Sequence, residues 1–135
     1  MVTKDTKVSN AQNKAGNLTM REKTLEEYMH CPFHLAMTIL EGKWKFAILY
    51  VLSRRGTLRF KELEKAIPEI STRMLTKDLK LLEAKGVVHR QAYATVPPKV
   101  EYSLTEVGHS IEPVIASITK WGEDYIQDRL NNSNL

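Results

Sequence analysis

A mainly α-helical domain with one small antiparallel β-hairpin is the fold class this sequence predicts, on three observations. Residues 57–102 read as a short helix, a tight turn, a longer basic helix, then two strands joined by a basic, proline-stiffened loop. Apolar residues on either side of that segment recur at helical spacing. Charge is also segregated along the chain. Residues 43–100 carry 13 Lys/Arg against 5 Asp/Glu, a net of +8. Residues 1–42 carry 5 of each and residues 101–135 carry 2 against 6, so the overall +4 conceals a basic middle.

Each element follows from local signals. Residues 1–20 are polar, with too few apolar groups to offset ordering entropy, and are expected to be a flexible tail. Thr24–His30 suits a helical turn. Pro32 suits the first turn of a helix and Gly42 its stop, with Phe33, Ala36, Met37, Ile39 and Leu40 between them at helical spacing. The next helix is apolar on most sides (Trp44, Phe46, Ala47, Ile48, Leu49, Val51, Leu52), which marks it as central. Thr57–Arg59 reads as a short strand. Phe60, Leu63 and Ile67 then define a brief helix that Pro68 ends. Ser71 caps the basic helix, with Ile70 placed to pack on Leu75 as a hydrophobic staple. Leu75, Leu79 and Leu82 are its buried stripe and Gly86 stops it.

Val87–Tyr93 and Val100–Leu104 are the two strands, and two prolines hold the tip between them extended. Thr105 caps a last helix reaching about residue 130 and kinked at Pro113. Val107, Ile111, Val114, Ile118, Trp121 and Tyr125 form one stripe on it, with Ile115, Ile126 and Leu130 on a second. Two stripes exceed what one small core needs, so one is expected to face a second copy of the chain.

A length of 135 residues bounds the chain to one domain, here 21–131 with a short tail at 132–135. No apolar run approaches the ~20 residues of a membrane span, and the N-terminus has no secretory apolar segment. With a single cysteine, a cytoplasmic chain without internal disulfides and without a membrane partner is expected. No glycine-rich phosphate loop, G-x-S-x-G or H-E-x-x-H occurs, so neither an enzyme nor a resident cofactor is expected.

The order of elements is that of a winged helix-turn-helix, which lays one helix in the DNA major groove with a β-loop beside it. Removing the buried leucines from the basic helix leaves Ser71, Thr72, Arg73, Thr76, Lys77 and Lys80 on its outer face. Such side chains read base edges or hold phosphates. A solvated face is the plainer reading of one isolated basic helix, but here helix, hairpin and local charge agree. Arg90 and Lys99 on the wing, and Lys43 and Lys45 at the start of the central helix, are further candidates for double-stranded DNA, or else ordinary surface cations.

Cys31 has three readings. At a helix N-terminus beside His30 and His34 it is placed for thiolate chemistry with an oxidant or electrophile, or it is simply a small capping residue. The trio His30-Cys31-x-x-His34 could also ligate zinc or another soft metal, but a structural site wants four ligands and no cysteine pair exists, so no metal is assigned there. The alternative to a DNA-binding regulator is a small-molecule or metal sensor acting through ligand or protein contacts.

Residues Cys31 to Tyr125 resemble the HxlR family of bacterial winged-helix transcriptional regulators. The resemblance rests on Cys31-Pro32, Gly42-Lys43-Trp44-Lys45, Leu49, Arg59-Phe60-x-Glu62-Leu63 and Ile70-Ser71-x-Arg73-Met74-Leu75-Thr76. Leu79-x-x-Leu82-Glu83, Val100-x-Tyr102-x-Leu104-Thr105, Gly108 and Trp121-Gly122 complete it. It implies a homodimer joined through the first and last helices, here Phe33 and Met37 with Ile118, Trp121 and Tyr125, on a palindromic operator. It also implies redox or electrophile sensing through Cys31, since several members sense through a cysteine at that position.

Overall fold

The computed structural model describes residues 23–133, so the tail expected at 1–20 lies outside the described residues. The chain divides into two units after Met37. In the first, a 3-10 turn spans Glu26–His30, and the Glu27 carboxylate accepts from the Thr24 N–H at 2.8 Å. Helix α1 (Pro32–Leu40) starts where the proline predicts, because its missing N–H is one that a first turn leaves unpaired anyway. Cys31 stands at the N-cap, its carbonyl accepting from the His34 and Leu35 N–H groups at 3.0 and 3.3 Å.

In the second unit, Gly42 follows the end of α1 at φ +109°, a conformation that glycine adopts at little cost. Helix α2 (Lys45–Arg55) is central as expected, with Ile48, Leu49 and Leu52 fully buried. Then come β1 (Leu58–Arg59), α3 (Phe60–Ala66), α4 (Thr72–Ala84), β2 (Val88–Tyr93) and β3 (Lys99–Leu104). The sheet is antiparallel in the order β1-β3-β2, with Leu58 opposite Tyr102, Val88 opposite Leu104 and Tyr93 opposite Lys99. The hairpin is thus extended to three strands by the short strand expected near residue 58. Its tip differs from the extended proline pair expected: the chain bends at Val96 and Pro97, and the Thr95 hydroxyl donates to the Pro97 carbonyl at 2.8 Å.

Leu63, Leu75, Leu79, Leu82 and Val88 join the α2 side chains in one core, closed by Leu104 and Ile115. The C-terminal region departs from the single kinked helix expected. Thr105 does cap a helix, accepting the Gly108 N–H at 3.0 Å, but this helix, α5 (Glu106–His109), is one turn long. A separate α6 (Glu112–Ser133) follows, carrying Pro113 in its first turn. The break precedes the proline, where no helical hydrogen bond is lost. Helix α6 continues through Ser133, so Asn132 and Ser133 are helical rather than tail.

On α6 only Ile115 is buried. Val114, Ile118, Trp121 and Tyr125 of one stripe are exposed, and so are Ile126 and Leu130 of the other. Neither stripe is covered along its length, because α6 outruns the core against which its first turns pack.

Candidate nucleic-acid interface

The helix-turn-helix is α3, the turn at 67–71 and α4. Ser71 begins α4 as its sequence predicts: its hydroxyl accepts from the Met74 N–H at 3.0 Å, and Ile70 and Leu75 on either side are both buried. The Thr72 hydroxyl donates to the Glu64 carboxylate of α3, tying the two helices of the motif together. The Thr76 hydroxyl donates to the Thr72 carbonyl at 2.8 Å. All three hydroxyls expected on the reading face are thus engaged within the motif. Arg73, Lys77 and Lys80 are exposed on α4, opposite the buried Leu75, Leu79 and Leu82.

Two clefts join these helices to the wing. Thr76 and Lys80 of α4 meet Arg90 of β2 and Tyr102 of β3 around a hollow of about 250 Å³, which Glu83 also lines. A wider one, about 650 Å³, lies between the start of α3 and β3 and gathers Arg59, Lys61 and Lys99 with Glu62 and Glu101. Lys99 is already held on the wing: its Nζ stands 4.5 Å from the Tyr93 ring centre and 3.8 Å from a Glu101 carboxylate oxygen. The Tyr93 phenol hydrogen-bonds to Glu101, and this bond, with the carboxylate's charge, raises its pKa above the ordinary 10.0.

Arg59 and Lys61 were not among the residues expected at the interface. The signal for Lys61 was present, since Phe60, Leu63 and Ile67 form the inward stripe of α3 and so turn position 61 outward. The cleft that Arg59 and Lys61 share with Lys99 depends on β1 pairing with β3, which local pattern does not specify.

Lys43 is exposed, with its Nζ 4.8 Å from the Trp44 ring centre. Lys45 corrects an expectation. It is 7% exposed and donates to Asp78 Oδ1 at 3.2 Å and to the Glu41 carbonyl at 3.0 Å, so it is turned inward and away from phosphate.

Cys31 is exposed. The His34 ring lies 5.7 Å from that of Tyr28, and no group of three metal-ligating side chains gathers among the described residues. Phe33 and Met37 of α1 are exposed, as is Trp121 of α6, whose ring stacks on Tyr125 at 5.5 Å. No helix of the described residues is long and apolar enough to cross a membrane.

Comparison with known proteins adds four findings. The family model for the HxlR-like helix-turn-helix matches residues 39–130. An uncharacterized HTH-type transcriptional regulator of Bacillus subtilis, YdeP, is 48% identical over 106 residues, covering 78% of this chain and 81% of that one. Among solved structures, the redox regulator HypR in its reduced form superposes with a TM-score of 0.68 at 44% identity, covering 75% of this chain and 98% of its own. The reduced form of the transcriptional regulator YodB from B. subtilis gives 0.63 at 36% identity, covering 70% and 92%.

Proposed function

This chain belongs to the HxlR-like helix-turn-helix family of transcriptional regulators, and on that premise we propose that it binds a palindromic operator as a homodimer through α4 and the wing. The observation that carries the reading is the placement of Arg73, Lys77 and Lys80 on the outer face of α4, with Lys80 and Arg90 lining one cleft between that helix and the hairpin. Buried leucines fix the opposite face of α4, so its cations are presented in one direction. Helix cations presented this way serve base readout and phosphate binding together.

Operator binding is tested with DNA from upstream of the chain's own gene. Arg73→Ala should cost about 1–3 kcal/mol and relax preference at one base position, as expected of a bidentate contact with guanine. Lys77→Ala should weaken binding to every sequence alike and flatten the salt dependence by about one unit, as expected of a phosphate contact. An Arg73/Lys77 double variant with unchanged operator binding would remove α4 from the reading role.

The proposed signal is oxidation or electrophile modification of Cys31. Its exposure at the head of α1 supports this, as does the likeness to the redox regulator HypR. With one cysteine in the chain, the two-electron products open to it are a sulfenic acid, an adduct with a small thiol, or a disulfide with the partner's Cys31.

A further inference from the structure

Lys45 and Asp78 are the buried charged residues of the described chain, at 7% and 4% exposure. They come from different elements, Lys45 opening α2 and Asp78 lying midway along α4. Within α4, Asp78 falls among Leu75, Leu79 and Leu82 on the inward face, where the helical pattern calls for an apolar residue. Its neighbour Lys77 is on the exposed face. The Lys45 ammonium donates to Asp78 Oδ1 at 3.2 Å and to the carbonyl of Glu41 at 3.0 Å. Gly42 shapes the approach: at φ +109° it turns the chain so that the Glu41 carbonyl meets the ammonium four residues on, and a Cβ there would lie 3.6 Å from Nζ.

Stability is a weak account of this arrangement. Removing two charges from water is expensive, and well-packed apolar residues of similar volume commonly serve as well or better. A buried ion pair differs from an apolar contact in being directional. Leucines tolerate a small rotation or slide of one helix against another, whereas a hydrogen-bonded pair selects one register. Here the register so selected belongs to the helix that carries Arg73, Lys77 and Lys80.

We propose that Lys45 and Asp78 are positioning residues for DNA recognition, a strut from the α1–α2 connection and the start of α2 to the back of α4 that sets the angle at which α4 meets the groove. The proposal rests on the regulator reading above and deepens it. The strut contributes aim, the match between side chains and base edges, rather than net stability.

Two variants separate aim from stability. Lys45→Met with Asp78→Leu replaces the strut by an apolar contact. Asp78→Asn keeps an oxygen that can accept from the ammonium but removes the opposite charge. For each, the thermal midpoint is measured beside the ratio of operator to nonspecific DNA affinity at fixed salt. The apolar pair should melt at or above wild type yet lose about tenfold in that ratio, equivalent to one misplaced base contact. Asp78→Asn should melt lower but keep a ratio near wild type.

If discrimination instead follows stability across the variants, the pair is structural and the proposal is overturned. An apolar pair that keeps wild-type discrimination, or that fails to fold, overturns it equally. Absence of operator binding by the wild-type protein would count against the regulator reading itself, and so is distinguishable from each of these outcomes.

Discussion

Cys31 stands exposed at the N-cap of α1, open to attack from solvent and contributing its carbonyl to the first helical turn. Its capping role is carried by backbone atoms, so a serine there should leave the helix start intact and remove only the sulfur chemistry. Treatment of the wild type with diamide or a quinone should shift operator affinity by roughly 5–150-fold, the usual range for coupled sites, and reductant should reverse it. Cys31→Ser should show neither change. Identical responses of the two proteins would reduce Cys31 to a helix cap. A disulfide between the two copies further requires their Cys31 Cα atoms to come within about 7 Å, which nonreducing electrophoresis of the treated dimer tests directly.

Among elements, the junction of α5 with the hairpin is tightly constrained. The Thr105 hydroxyl accepts from Gly108 N–H and donates to the Gly86 carbonyl at 2.6 Å, so one side chain caps α5 and holds the turn that leads into β2. A Cβ on Gly108 would lie 2.2 Å from the Val87 carbonyl oxygen and 3.2 Å from Leu104 Cβ. Backbone cannot yield as a flexible side chain can, so Gly108→Ala should destabilise the fold by about 1–3 kcal/mol, read as a lowered denaturant midpoint at unchanged m-value. Gly122, in the middle of α6, has open space about it and should accept alanine readily. These two glycines look alike in the sequence, and only their surroundings distinguish them. The same holds for the wing, where the alternation of Val100, Tyr102 and Leu104 reveals a strand but not that Arg59 pairs opposite Glu101.

For the whole molecule, the exposed apolar face of α6 is the feature that a single chain leaves unsatisfied. Ile118, Trp121 and Tyr125 are exposed along it, with Trp121 68% exposed, an unusual state for the largest apolar side chain. The protein is expected to sediment as a dimer at micromolar concentration. Replacing Trp121 and Tyr125 with alanine should shift it toward monomer while leaving the circular dichroism of the fold in place, since neither side chain belongs to the core. Operator half-sites should then lie about 34–36 Å apart, or a multiple of that, so that both recognition helices meet one face of the duplex. A wild-type protein that remains monomeric would contradict the dimer.

By itself the sequence determined what depends on near neighbours along the chain. Apolar periodicity placed the helices, Ser71 and Thr105 placed two caps, Pro32 and Gly42 bounded α1, and the cations of α4 fell opposite its leucines. Each of these is set within a few residues, by rotation per residue or by one hydrogen bond. Tertiary structure alone decided what depends on distant neighbours. It turned Lys45 from a surface cation into the buried partner of Asp78, 33 residues away. It brought Arg59 and Lys61 to the wing and spent the Thr72 hydroxyl on Glu64. The reason is physical: periodicity tells which face of an element is inward, but the partner waiting on that face is chosen by packing between elements.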